Sequence, residues 1–382
     1  MKLITIKSNF KKGLNIIERL TGKNLTLPIL NNILLKAEKN TLILKSTDLE
    51  IGAEYRTMIK IEEEGKITIP AKILSGLVNF LPDENIEIEV DEKSNTLSLS
   101  GKNNKSKIKG LNADDFPIIP QIKNKKEFIE LNSDPFLRGI LKVLNFCSIG
   151  QTHPELSGIY FNFQKDKLEL VSTDSFRLAK KDIYYQEKKG KNYSFILPQK
   201  AVREVANIIS ETNDDPDHDS KMRIYFEPNQ IFFDFFSENT SLSQFTLTSR
   251  LIEGDYPNYQ EIIPTSFKTQ IILDKNEFLN QIKTTSLFSG NTSKIDININ
   301  PEKESINFFA QNVDFGESKS SMKGKVKGEK VETSFNFKYL IDGISNIEDS
   351  NVVFELNGDD GPALLKSVNN DNYVYILMPI KA

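Results

Sequence analysis

The chain has 382 residues, with 49 Lys and Arg against 53 Asp and Glu, a net charge of −4 and 38% hydrophobic residues. This is the composition of a folded globular protein, and no apolar run approaches the ~18 residues that span a bilayer, so no membrane partner is expected. One cysteine, Cys147, excludes an internal disulfide, and with only His153 and His218 it excludes a His/Cys zinc centre of the usual ligand count, so neither metal nor cofactor is expected.

The first residues, Met-Lys-Leu-Ile-Thr-Ile, alternate as a strand and lack a signal-peptide apolar region. A helix over 9–20 follows, with Phe10, Leu14, Ile16 and Ile17 on one face. Residues 32–48, NILLKAEKNTLILKSTD, read as two alternating strands around a turn. Pro70 suits the first turn of a helix over 71–80. A strand over 86–90 and the acidic turn Asp114-Asp115-Phe116-Pro117 close this section, because Pro favours extended backbone before it.

The pattern then restarts. A helix over 135–147 carries Phe136, Ile140 and Val143, with Cys147 on its apolar face. Residues 158–174, GIYFNFQKDKLELVSTD, align with 32–48 without a gap and again end in Ser-Thr-Asp. Pro198 opens a helix over 199–209, a strand covers 223–226, and Gly254-Asp255-Tyr256-Pro257 repeats the closing turn. A third round has helices over 275–287 and 336–347, a fainter hairpin over 295–312 and a strand over 352–356. The expected fold is α+β, three tandem repeats of one domain over 1–124, 125–252 and 253–382, each large enough for its own core.

Catalytic chemistry finds little support. Gly324-Lys-Val-Lys-Gly-Glu-Lys lacks the phosphate-loop spacing. Asp215-Pro-Asp217-His-Asp219 starts like a calcium loop but lacks Gly at position six and has Phe226 at position twelve, so it reads as a solvated loop. The Thr-Asp pairs at 47–48 and 173–174 suit hydrogen bonds to the backbone of the next turn. That turn continues Leu49-Glu50-Ile51 in one copy and Ser175-Phe176-Arg177-Leu178 in the other, which suggests an adapted second copy. The six helical stretches together carry more Lys and Arg than acid, although the chain is acidic. That is either an ordinary solvated face or a basic surface for a polyanion.

Seven segments in order resemble the bacterial sliding clamp family, the beta subunit of DNA polymerase III. Among them are Leu27-Pro-Ile-Leu-Asn-Asn-Ile-Leu-Leu35, Leu156-Ser-Gly158, Ser172-Thr-Asp-Ser-Phe-Arg-Leu-Ala179, Gly254-Asp-Tyr-Pro-Asn-Tyr259 and the ending Tyr375-Ile-Leu-Met-Pro-Ile-Lys381. The resemblance implies a head-to-tail homodimer that closes a ring around duplex DNA without reading sequence. It implies as partners the replicative polymerase catalytic subunit, a clamp loader, and other client polymerases and repair proteins bound through short linear motifs. It also implies a bacterial cytoplasmic protein associated with the nucleoid, with no catalytic step.

Carried over by position, Lys23, Asn24, Lys72 and Gln151 become DNA contacts; the charge distribution adds Lys12, Arg138, Lys142, Lys200 and Arg203. The client cleft takes Leu156, Thr173, Ser175, Phe176, Arg177, Leu178, Pro257 and Ile262. From the end of the chain it takes Pro362, Ile376, Leu377, Met378, Pro379 and Ile380. Phe176 stands where many members have His, and Glu261 where some have Arg. Ile108, Leu287 and Phe288 match interface positions, with Ser106 where Phe is frequent. Two other readings remain: a protein-binding scaffold of the same fold without DNA, and an enzyme acting through Thr173, Asp174 and Arg177.

Overall fold

A computed structural model describes residues 1–22, 26–82, 85–150, 152–186, 192–212, 220–236 and 243–381. The first repeat holds strands β1 (Lys2–Ile6), β2 (Asn32–Glu38), β3 (Thr41–Thr47), β4 (Ile51–Met58), β5 (Lys60–Glu63), β6 (Gly65–Pro70), β7 (Asn85–Asp91), β8 (Thr96–Ser100) and β9 (Lys105–Lys109). Its helices are α1 (Lys7–Arg19) and α2 (Ala71–Phe80). The second holds β10 (Ile129–Asn132), α3 (Ser133–Val143), β11 (Gly158–Phe163), β12 (Lys167–Thr173), β13 (Arg177–Tyr184), β14 (Tyr193–Pro198), α4 (Gln199–Thr212), β15 (Lys221–Glu227), β16 (Gln230–Phe236) and β17 (Ser243–Arg250). The third holds β18 (Thr269–Asp274), α5 (Lys275–Ser286), β19 (Lys294–Asn300), β20 (Ser305–Asn312), β21 (Gly316–Lys323), β22 (Lys325–Gly328), β23 (Val331–Asn336), α6 (Phe337–Ser345), β24 (Asn351–Leu356), β25 (Ala363–Ser367) and β26 (Tyr373–Leu377).

Alternation makes the strands. In β7, NIEIEVD, exposed and buried residues alternate without a break, as a half-buried strand requires. Two corrections concern helix starts and ends. Pro70 and Pro198 lie one residue before their helices, as the last strand residues, where they pair with Asn32 and Gly158. Cys147 is buried, but it follows the short turn Leu144–Phe146 beyond α3 instead of sitting on a helix face. The helices of the third repeat are capped by side chains: Asp274 accepts from the Glu277 amide and Asn336 from the Lys338 amide.

Among the described residues four sheets form, in the orders β5-β1-β7-β8-β9, β10-β15-β16-β17-β4-β3-β2-β6, β14-β11-β12-β13-β26-β25-β24-β18-β22 and β21-β20-β19-β23. Two of them combine strands of successive repeats, through β17 with β4 and β26 with β13. The chain accordingly packs as two compact units, residues 1–137 with 200–251, and 138–199 with 252–382.

Within each unit a tyrosine ring packs closely against a helical glycine. A Cβ on Gly13 would sit 2.1 Å from the Tyr55 ring, and one on Gly343 would sit 2.3 Å from Tyr375. The Tyr55 hydroxyl donates to the Asn9 carbonyl (3.0 Å) and Tyr375 to the Tyr339 carbonyl (2.9 Å). No described helix is long and apolar enough to cross a membrane.

Candidate peptide cleft and basic helix faces

The Ser-Thr-Asp turn is built twice from the same bonds. Ser46 donates to the carbonyl of Ile17 and Ser172 to that of Val143, tying each turn to a helix end. Thr47 donates to the Ile51 carbonyl and accepts from the Leu49 amide; Thr173 does the same with Arg177 and Ser175. Asp48 accepts from the amides of Glu50 and Ile51, and Asp174 from those of Phe176 and Arg177. The residue after each Asp has positive φ, 79° at Leu49 and 75° at Ser175. The Thr-Asp pairs are thus structural, as the sequence suggested. In the third repeat Asn312 takes over the Asp role toward Asp314 and Phe315.

In the second unit this turn aims β13 at β26, where Leu178 pairs with Ile376. Leu178 and Ile376 join Val171, Tyr259 and Leu364 in one buried apolar cluster, flanked by Tyr160, Tyr256, Ile263, Phe267 and Val374. Pro257 and Ile262 bracket Tyr259 in a short turn, and Pro362 immediately precedes β25, which brings Leu364. Phe176 stays 62% exposed and Met378 37% exposed, joined through the Met378 amide and the Phe176 carbonyl at 2.9 Å. Beyond them the Ile380 amide donates to the Ser334 carbonyl, which fixes Pro379 between two backbone bonds.

Other expected cleft residues point elsewhere. Successive strand residues face opposite sides. Arg177 therefore turns from Leu178 toward α6, contacting Asp174 (2.9 Å) and Asp342 (2.6 Å) and lying over the Tyr339 and Phe146 rings. Leu377, opposite Arg177 on β26, is fully buried on that same side, whereas Leu156, at 6% exposed, is no more enclosed than Leu178 and Ile376. The tyrosines were missed as site residues, although Tyr256 and Tyr259 stood in the Gly-Asp-Tyr-Pro-Asn-Tyr segment. Tyr256 stacks on Tyr160 at 5.0 Å, and the Tyr259 hydroxyl donates to buried Glu169. Burial disfavours the Glu169 carboxylate, but the bonds from Tyr259 and Lys180 outweigh it and hold its pKa below the usual carboxylate range.

The basic helix residues fare unequally. Lys72, Arg138, Lys200 and Arg203 are exposed and Lys12 is half-buried. Lys200 pairs with Asp48. Lys142 is held by the Asn346 carbonyl (2.5 Å) and by Glu348 (2.9 Å). Lys142 is therefore already neutralised, which the charge distribution along the sequence could not reveal. Lys23, Asn24 and Gln151 lie outside the described residues, as does the 215–219 acidic run. Among the described residues no group of three His, Cys, Asp or Glu could hold a metal. Leu287 is 74% exposed just after α5 and Phe288 is half-buried; Ile108 faces its own core on β9.

Family models for the N-terminal, central and C-terminal domains of the DNA polymerase III beta subunit match residues 1–120, 130–258 and 260–381. A Synechocystis protein named beta sliding clamp is 26% identical, covering 100% of this chain and 99% of its own length. A solved putative DNA polymerase III beta subunit from Eubacterium rectale superimposes with TM-score 0.90 at 27% identity, over 100% of both chains. A sliding clamp (DNA polymerase III subunit beta) from Bartonella birtlesii, bound to griselimycin, does the same at 27% identity and TM-score 0.90, again over 100% of both chains. With one turn and one strand junction repeated along a chain that these domain models cover almost end to end, the protein belongs to the DNA polymerase III beta subunit family.

Proposed function

We propose that this protein is a sliding clamp: two chains close head to tail around duplex DNA, and the Leu178–Ile376 cleft tethers the replicative polymerase and other clients. The repeats then run 1–124, 125–252 and 253–382. The observation that carries the ring is a pair of unused strand edges. At the first junction β4 pairs with β17, and at the second β13 pairs with β26 in the same register, Ala53 opposite Leu247 and Ala179 opposite Tyr375. The corresponding strands left over are β21 in the third repeat and β9 in the first, each at the end of its sheet. Continuing the rule pairs β21 of one chain with β9 of the next. Such a heterologous contact closes when the rotation per unit permits, and six similar domains supply it.

The turn before β21 supports this. Val313 is fully exposed and Phe315 72% exposed, while α2 exposes Ile73 and Phe80, at 53% and 91%. Apolar groups of that size left in water mark a surface that a partner covers. The strand register carried over from the two internal junctions sets Lys107 opposite Glu317. A dimer is therefore expected at micromolar concentration by sedimentation; Lys107→Glu weakens it, and adding Glu317→Lys restores it. A monomeric wild-type chain, or no rescue by the exchange, would remove this edge from the assembly.

Lys and Arg on the helices attract phosphates without reading bases, which a moving contact requires. The clamp performs no chemistry itself; a separate loader opens the ring, and the protein works in the cytoplasm on the nucleoid. The exposed Phe176 and Met378 give the cleft an adaptable apolar rim for a client peptide. Retention on closed circular DNA with release on linearisation separates this reading from a scaffold that binds only proteins, and a turnover lost with Asp174 or Arg177 would favour an enzyme.

A further inference from the structure

The first junction carries a groove that the clamp reading leaves without a role. On the face of the sheet away from Tyr55 and α1, side chains from six adjacent strands stand in register: Lys45, Glu54, Thr246, Asp234, Arg223 and Glu130. The matching row at the second junction is Val171, Lys180, Val374, Lys366, Val353 and Ile272. In the neighbouring row, Gly52 and Thr248 stand where the second junction has the larger Leu178 and Ile376. The smaller pair leaves a groove of about 360 Å³ floored by Thr246, Thr248 and Phe232 and walled by Ile119, Pro120 and Ile122. A Cβ on Gly52 would come within 2.8 Å of Ile119, so the small residue is what lets the connecting segment lie there.

The two junctions share a plan and differ in charge. The floor carboxylates are already satisfied. Glu54 is held by Lys45 (2.6 Å) and by the Arg56 Nε. Asp234 is 8% exposed and accepts from the Ser243 and Thr246 hydroxyls, and burial raises its pKa, which favours its neutral form. Three cations line the groove: Arg56, Arg223 and Lys125. Arg56 and Arg223 each engage a carboxylate through Nε; Arg223 also bonds the Tyr225 side chain and lies over the Phe128 and Phe236 rings, so the Arg56 terminal nitrogens are the more accessible donors. We propose that this groove is a second peptide-docking site, once per chain, for an extended acidic segment whose carboxylates meet Arg56, Arg223 and Lys125 and whose apolar side chains rest on Ile119 and Ile122.

The probe is a fluorescein-labelled peptide, Asp-Leu-Glu-Leu-Asp, titrated into the full chain, with Lys-Leu-Lys-Leu-Lys as its counterpart. Saturable binding is expected for the acidic peptide alone. Arg56→Gln with Lys125→Gln should weaken it at least about tenfold, a loss of about 1.4 kcal/mol. Phe176→Ala, which disables the other cleft, should leave it unchanged. Methyl spectra of the unaltered chain should show Ile119 and Ile122 shifting on addition of the acidic peptide while Ile376 stays still. Equal binding of both peptides, loss of binding in Phe176→Ala, insensitivity to the paired substitution, or unmoved Ile119 and Ile122 signals would each overturn the proposal. None of these results depends on ring closure or on DNA.

Discussion

Replacing Phe176 by Ala isolates the client cleft from the stability of the fold. The side chain is 62% exposed, so the folded chain leaves most of its ring in water. A Phe can bury roughly 200 Å², which leaves about 120 Å² for a ligand to cover. At about 25 cal/mol per Å² that is ~3 kcal/mol if fully covered and ~1.5 kcal/mol if half covered. A client peptide with a Gln and spaced Leu and Phe anchors should thus lose about 10- to 100-fold in affinity. The Phe176 carbonyl still accepts from Met378, so the terminal strand keeps its place and the melting temperature should hardly move. Fluorescence anisotropy with a labelled client peptide measures the loss. Glu50→Ala, at the same position of the first repeat, serves as the control and should change nothing. Binding by Phe176→Ala within twofold of the unaltered protein would refute a client site built around this residue.

Converting the exposed Lys72, Arg138 and Arg203 to Glu should reduce retention on primed circular DNA. The salt dependence of binding should flatten by about 0.9 for each phosphate that is no longer neutralised. Tyr259→Phe removes the hydrogen bond to Glu169 and should cost about 1.5–3 kcal/mol in urea unfolding at pH 7. Because the folded Glu169 has a lowered pKa, its contribution is present above the unfolded carboxylate value of about 4.3 and is lost as pH falls through the lower folded value. The Phe variant should therefore start less stable at pH 7 and lose less on acidification. Gly343→Ala drives a methyl into the Tyr375 ring and should cost about 1–3 kcal/mol of stability, measured by the same unfolding curve.

The sequence by itself determined the threefold repeat, the six helices and the Ser-Thr-Asp turns. These depend on spacing along the chain: apolar residues at helical or alternating periods, and side chains that bond backbone two to four residues away. The family resemblance carried Leu178, Ile376 and Met378 over to the proposed cleft, and the apolar second turn, where the first turn has Glu50 and Gly52, fits that assignment. Only the tertiary structure decided that some of these cations meet distant acids. Lys142 meets Glu348 and Arg19 meets Glu211 through contacts between distant segments, and no local pattern announces such pairs. The structure likewise turned Arg177 toward α6 and Tyr259 onto Glu169. It also showed that sheets continue from one repeat into the next, leaving β9 and β21 without the partner that their counterparts have. A strand's own residues specify its faces, but its neighbours are chosen by what the rest of the chain brings alongside, and so the open edges appear only once the chain has folded.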